Sequence, residues 1–147
     1  MERESLNLLN GINRAIIKFR GIYSSWSSEH GISYHEMLVL YTIREYGYCT
    51  QKQICDSYLL PKQTINNVIA AMRKCEILEL DEAKSKGREK AFTLSEKGKA
   101  YALPFLKSLD TVENRALELL GKENLQTLTD LLLEYDYALN TALEESR

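Results

Sequence analysis

The chain has 147 residues, of which 44% are hydrophobic and 27% charged, with a formal net charge of -2 at pH 7. That length allows one domain with a real core. Because it has neither an apolar run of membrane-spanning length nor a signal-peptide pattern, we expect a cytosolic protein without a membrane partner. The charge is segregated: residues 50–99 hold ten Lys or Arg and seven Asp or Glu, the rest nine and fourteen, so the middle segment is the expected binding part for a polyanion.

The first two predicted elements are helices. Apolar residues spaced by three and four predict a first helix that ends near residues 29–31. These apolar residues are Leu6, Leu9, Ile16, Phe19, Tyr23 and Trp26. Ser33 and Glu36 have the spacing of a capping box that begins the second helix, and Gly47 is the residue expected to end it.

The next two elements are predicted to form a helix-turn-helix. Thr50 and Gln53 are spaced as a capping box, which predicts a short helix ending near Ser57. A tight turn through residues 59–60 follows, and Pro61 is expected at the first position of the next helix. A short helix, a tight turn and a second helix are the parts of a helix-turn-helix.

The second helix of this pair, residues 61–74, has two clearly different faces. Its buried stripe is predicted to be Ile65, Val68, Ile69 and Met72. The opposite face has amides and cations but no carboxylate, and consists of Lys62, Gln63, Asn66, Asn67, Ala70, Arg73 and Lys74. Amides can read adenine in a major groove, and Lys or Arg can hold phosphates, so this face indicates binding to DNA.

A β-hairpin is predicted after the helix-turn-helix. Residues 77–80 and 91–94 alternate in hydrophobicity, and the expected buried set is Leu78, Leu80, Phe92 and Leu94. The polar tip contains Gly87 and the cations Lys84, Lys86, Arg88 and Lys90. Such a tip is typical of a wing whose Arg enters a narrow minor groove. The alternative is a solvated hairpin whose lysines discourage pairing at the sheet edge.

Two further helices complete the chain. Ser95 is expected to cap a long helix that contains Pro104, and Gly121 separates it from a last helix. The apolar stripes of the terminal helices need a partner, which an intramolecular bundle or a second copy could supply. We expect a homodimer, because DNA readers of this kind bind two half-sites. The predicted domains are an N-terminal dimerisation helix (residues 1–31), a winged helix-turn-helix (residues 32–96) and C-terminal dimerisation helices (residues 97–147).

Other kinds of site find little support. The three cysteines form no CxxC pair, which argues against a disulfide framework or a zinc ribbon. Cys55 and Cys75 are predicted to be buried, whereas Cys49 precedes a helix whose dipole would lower its thiol pKa and make a redox switch. The histidines, at positions 30 and 35, lack further ligands for a tetrahedral metal shell. No phosphate loop, nucleophile elbow or metal-binding His pair occurs, so we expect neither an enzyme nor a cofactor.

The order of these elements resembles that of the MarR family of transcriptional regulators along nearly the whole chain. The most specific matches are Thr50-Gln51, Thr64-Ile65 and the segment LSEKG at residues 94–98, where the family usually has Leu-Thr-x-x-Gly. The resemblance implies a mainly α fold with a small β-hairpin wing, and a homodimer shaped by the terminal helices. It also implies recognition helices in successive major grooves and, more often than activation, repression from a roughly palindromic operator.

The resemblance also implies roles for individual residues. Lys62, Gln63, Thr64, Asn66 and Asn67 would meet the major groove and its phosphates. With the wing cations, the candidate DNA-binding residues are Lys62, Gln63, Thr64, Asn66, Asn67, Arg73, Lys84, Lys86, Arg88 and Lys90. Arg88 matches the arginine of the family's Asp-x-Arg wing pattern, but Lys86 replaces its Asp. Glu76 stands where the family commonly has Gly, so we expect that turn to close differently.

The resemblance also implies an effector, and the residues leave one function of a different class open. Many MarR relatives release DNA when a small aromatic or lipophilic molecule binds between the dimerisation helices and the winged helix-turn-helix. The candidate lining residues are Tyr23, Trp26, Tyr34, His35 and Tyr41, although an aromatic stripe at helical spacing is more often part of a core. The alternative function is a winged-helix protein-interaction scaffold without DNA binding. The acid-free face argues against that alternative.

Overall fold

The computed structural model describes all residues from Met1 to Arg147. Six helices and three strands follow one another along the chain: α1 (Arg3–Glu29), α2 (Tyr34–Tyr46), β1 (Cys49–Thr50), α3 (Gln51–Tyr58), α4 (Lys62–Lys74), β2 (Leu78–Lys86), β3 (Glu89–Leu94), α5 (Glu96–Leu120) and α6 (Lys122–Glu145). They belong to two compact units, Met1–Leu106 and Lys107–Arg147, so the division falls within α5. The expected mainly α fold with a small wing is confirmed.

The core of the first unit lies among α2, α3, α4 and an antiparallel sheet of strand order β1-β3-β2. Ile65, Ile69 and Met72 are buried as their spacing predicts, and Val68 is partly buried against the same core. In the hairpin, Leu78 and Phe92 are buried, but the prediction is wrong for Leu80, which is 38% exposed. The reason is that β2 leaves the core after its first residue and continues outwards as the wing.

Two helix starts show how local hydrogen bonds and distant partners compete. At α3 the capping box is complete, because the Gln53 N–H donates to Thr50 Oγ1 (3.0 Å) and the Thr50 N–H donates to Gln53 Oε1 (3.2 Å). At α2 only half of the predicted box forms: the Glu36 N–H donates to Ser33 Oγ at 3.0 Å. The Glu36 carboxylate instead accepts the Tyr101 hydroxyl at 2.6 Å. A phenol brought in by α5 has therefore replaced the local backbone partner.

The turns around α4 are close to expectation with two corrections. Pro61 is the N-cap rather than the first helical residue, and α4 begins at Lys62. After α4, Glu76 has φ 61°, the left-handed conformation that glycine favours. The turn therefore has the conformation that glycine favours, and the expectation that it closes differently is not supported. The Ser95 hydroxyl donates to the Glu76 carbonyl oxygen at 2.6 Å, which helps to hold the turn.

Replacing Glu76 with glycine is expected to stabilise the protein. A left-handed non-glycine residue costs roughly 1–2 kcal/mol, and part of this is offset because glycine is more flexible in the unfolded chain. We therefore expect Glu76→Gly to raise the free energy of unfolding by up to about 1 kcal/mol in urea titrations. Glu82→Gly, in the exposed part of β2, is the control and should lower the free energy of unfolding, because glycine is unfavourable inside a strand. A loss of stability in Glu76→Gly would contradict this account of the turn.

The terminal helices expose much apolar surface. In α1, six large apolar side chains are between 44% and 69% exposed, namely Leu6, Leu8, Ile16, Ile17, Phe19 and Ile22. In α6 no residue is buried, and its exposed apolar residues are Leu125, Leu128, Leu131, Leu133, Tyr137, Leu139 and Leu143. None of the six helices combines the length and hydropathy needed to cross a membrane.

Candidate nucleic-acid interface

The outer face of α4 is exposed as the sequence predicts. Lys62, Gln63, Asn66, Asn67 and Arg73 are all exposed, whereas Thr64 is half-buried at the edge of this face. The Gln63 side-chain amide donates to Asn67 Oδ1 at 2.8 Å. This bond arranges two neighbouring amides side by side on the surface. Because no carboxylate lies between them, the face presents only amide groups and positive charge.

α3 supports the start of α4. The Gln51 side chain donates from Nε2 to the carbonyl oxygen of Lys62 at 2.9 Å. The complete capping box at Thr50 fixes the start of α3, where Gln51 is the first helical residue. The first turn of α4 is consequently held in place by α3, and its N-terminal end, which carries a partial positive charge, is exposed together with Lys62.

The wing is a twisted hairpin with an irregular middle. Regular pairing runs from Leu78–Leu94 to Asp81–Ala91, is then interrupted, and resumes only at Lys86–Glu89. Ser85 bridges the interruption, because its hydroxyl donates to the Asp81 carbonyl oxygen (2.8 Å) and accepts the Ala91 N–H (3.0 Å). Gly87 turns the chain at the tip with φ 57°. The tip cations therefore stand on a hairpin that is braced at its middle.

A groove of about 750 Å³ lies between α3, α4 and β3. Five of the ten predicted DNA-binding residues line it, namely Lys62, Asn66, Arg73, Arg88 and Lys90. The Arg73 guanidinium lies 5.1 Å from the centroid of the Phe92 ring, so its charge is held over the floor of the groove. The structure thus brings basic side chains of α4 and of the wing together around one concave surface.

The other predicted residues lie elsewhere. Gln63, Asn67 and Thr64 belong to the outer part of α4, and Lys86 is exposed at the wing tip; none of these four lines the groove. The Lys84 ammonium lies 5.4 Å from the centroid of the Tyr48 ring, outside the groove. Sequence reasoning missed Gln51 and Lys52, which line the groove from α3. Their position at the start of a capped helix was the available signal.

Two carboxylates line the same groove, and both are engaged. The Asp56 carboxylate pairs with the Lys52 ammonium, and this hydrogen bond is the main cause of the raised pKa of Lys52. The Glu89 carboxylate accepts the Thr50 hydroxyl at 2.6 Å. Lys62, Arg73, Arg88 and Lys90 form no ion pair within the chain. The groove therefore has cations that can bind an anionic polymer.

The aromatic residues predicted to line an effector pocket form pairs with their neighbours. Trp26 stacks on His30 with ring centroids 4.2 Å apart, and the Arg44 guanidinium lies 4.2 Å from the Tyr41 centroid. The Arg20 guanidinium lies 5.4 Å from the ring of Tyr34, which in turn contacts His35. Tyr23, Trp26 and Tyr34 pack against the core. The indole N–H of Trp26 is buried without a hydrogen-bond partner.

The cysteine predictions need correction. Cys49 is fully buried, and burial raises the pKa of its thiol to about 12 rather than lowering it. The redox hypothesis for Cys49 is therefore wrong, because loss of hydration outweighs the helix dipole. Cys55 is half-buried, and burial raises its pKa as well. Cys75 is exposed rather than buried, because it caps the C-terminal end of α4.

Comparisons with known proteins agree with this architecture. Residues 30–89 match the model of the MarR family. No protein with a curated description matches the chain. Among solved structures, the chain is similar to NMB1585, a MarR family regulator from Neisseria meningitidis, with 25% identity and a TM-score of 0.86 over 95% of this chain and 99% of that chain.

More distant structures share the fold. A MarR/EmrR family transcriptional regulator from Acinetobacter sp. ADP1 has 17% identity and a TM-score of 0.73, over 95% of this chain and 99% of its own. NadR in complex with 4-hydroxyphenylacetate has 15% identity and a TM-score of 0.70, over 85% of this chain and 89% of its own. Residues 30–89 thus match the MarR family model, and nearly the whole chain shares the fold of structures of MarR family transcriptional regulators.

Proposed function

We propose that this protein binds duplex DNA as a homodimer and represses transcription from a roughly palindromic operator. The observation that carries the proposal is the continuity of the acid-free face of α4 with the cationic groove beside the wing. In this arrangement Asn66 and Asn67 read base edges in the major groove, Arg73 and Lys90 hold the intervening phosphates, and Arg88 approaches the minor groove.

The proposed homodimer is supported by the terminal helices. The exposed leucine, isoleucine and phenylalanine side chains give α1 more apolar surface than a solvent-exposed helix usually has. α6 has a second set of exposed apolar side chains. A second copy of the chain is the occupant that would bury them and place two recognition helices about one helical turn of DNA apart, roughly 34 Å. Residues 1–31 and 97–147 would then serve dimerisation, and residues 32–96 would serve DNA reading.

An effector is proposed at the aromatic cluster of α1 and α2. NadR binds 4-hydroxyphenylacetate, an aromatic acid. Here Arg20 and Arg44 lie beside the rings of Tyr34 and Tyr41, and the buried Trp26 N–H has no acceptor. These cations and this donor suit a small aromatic molecule with an acceptor group. Effector binding would favour a spacing of the two winged helix-turn-helix domains that does not fit the operator.

The first test of the proposal is selection of a randomised duplex library by the purified protein. We expect recovery of a two-fold symmetric site with half-sites about one helical turn apart, roughly 10 bp, because a symmetric dimer reads both halves alike. The affinity for that site should fall steeply as salt increases, because each contacted phosphate releases counterions. Recovery of no preferred sequence, together with no binding at low salt, would favour the scaffold function instead.

A further inference from the structure

A second cavity, of about 410 Å³, lies on the other side of α4. It is an open depression lined by the start of α2, the side of α4 that carries Val68, Ala71 and Met72, and Tyr101 of α5. Successive residues of an α-helix are rotated by 100°, so these α4 positions point away from the side that lines the groove between α3, α4 and β3. All of its lining residues belong to the first compact unit. The cavity therefore shares no lining residue with the groove beside the wing, and none with the aromatic residues of α1.

The lining of this cavity has a negative charge but no positive one. Val68, Ala71, Met72 and Ile77 provide apolar walls, and Ser33 and Tyr101 provide hydroxyl groups. Glu36 is the only charged residue among the nine that line it, so no lysine, arginine or histidine balances the carboxylate. The Tyr101 hydroxyl donates one hydrogen bond to Glu36, at 2.6 Å. No cationic side chain of the chain forms an ion pair with Glu36.

We propose that this cavity binds a small amine, with its protonated nitrogen on the Glu36 carboxylate and a compact apolar body against Val68, Ala71 and Met72. A half-buried carboxylate that retains free acceptor positions beside apolar walls favours a cation that also fills the apolar space. The volume lies within the range of small-molecule sites. An organic acid of the same shape would meet the like charge of Glu36 and is disfavoured.

Amine binding would also weaken DNA binding through the outer face of α4. This consequence rests on the proposed function. Asn67 lines the cavity and is at the same time part of the acid-free face of α4. A ligand that contacts the Asn67 amide competes with the base edge that this amide would read. Coupling of this kind is reciprocal, so DNA should weaken amine binding by the factor by which the amine weakens DNA binding.

The test compares three probes of similar size on the full chain without DNA: phenethylamine, 2-phenylethanol and phenylacetate. Binding is followed by calorimetry and by protection of Cys75 from iodoacetamide, because this exposed thiol lines the cavity. We expect phenethylamine to protect Cys75 at a concentration at least about tenfold lower than phenylacetate, because only the amine carries a positive charge that can pair with the Glu36 carboxylate.

Two variants and one control locate the site. Glu36→Gln keeps an acceptor for Tyr101 and should remove the preference for the amine, whereas Glu45→Gln, at the exposed end of the same helix, should leave it unchanged. Ala71→Leu should fill the cavity and exclude all three probes. Equal protection of Cys75 by the amine and the acid, or no protection by the amine, overturns the proposal whether or not the protein binds DNA. Operator binding by the same preparation, with and without phenethylamine, tests the coupling alone: a fall of about fivefold or more is expected, and no change refutes it.

Discussion

Replacing Gly98 with alanine is expected to destabilise the protein by at least about 2 kcal/mol, although alanine is the better helix former by roughly 1 kcal/mol. A Cβ at Gly98 would lie 2.0 Å from the carbonyl oxygen of Ile77, which is backbone and cannot rotate away. The same oxygen accepts the Ser95 N–H at 3.0 Å. The methyl group would therefore separate the start of α5 from the turn before β2, and the midpoint of urea unfolding should fall.

Gly11→Ala is the matched control for this prediction. Gly11 is also inside a helix, but a Cβ there would meet no atom within 4 Å. Only the helix propensity then acts, so the control should be neutral or more stable by up to about 1 kcal/mol. If both variants were stabilised alike, the close approach of α5 to Ile77 would not exist in solution.

Substitutions at Asn66 and Arg88 are expected to weaken DNA binding in two different ways. Asn66 is an exposed amide on the outer face of α4, so Asn66→Ala should reduce discrimination between the operator and random DNA by about 1–3 kcal/mol. Arg88 is an unpaired cation that lines the groove from the wing. Arg88→Ala should weaken binding to both DNAs about equally and lower the salt slope by about one.

Measurements of affinity across salt, on the selected operator and on a scrambled duplex, distinguish the two effects. Lys18→Ala is the control, because Lys18 is an exposed cation of α1 that does not line the groove. It should change neither the affinity nor the slope. An Asn66→Ala variant that loses affinity for both duplexes equally would show that Asn66 holds a phosphate rather than reads a base. Unchanged DNA binding in both variants would favour the scaffold function.

Local patterns were sufficient for most of the fold. The Thr50–Gln53 capping box and the buried spacing of Ile65, Ile69 and Met72 depend on residues within a few positions of one another. The left-handed glycine at position 47 likewise ends α2 as expected. Where such local preferences agree with the global packing, the sequence alone predicts the element.

The errors share a physical cause, which is contact between residues far apart in the chain. Cys49 precedes a helix, yet its partner strand covers it: it pairs with Phe92 and is fully buried. Glu36 has the spacing for a local cap, yet it bonds Tyr101, 65 positions away. Burial sets the direction of a pKa shift, and it depends on what packs above a residue rather than on its neighbours in sequence.

The sequence by itself determined the winged helix-turn-helix, the acid-free face of α4 and the positions of the wing cations, because hydrophobic spacing, caps and charge pattern are properties of short segments. Only the tertiary structure decided that Lys52, Arg73 and Arg88 surround one groove, and that Glu36 faces an apolar cavity without a cationic partner. Both sites are formed by elements that meet only on folding, since helix and strand ends distant in sequence must pack together before a concave surface exists.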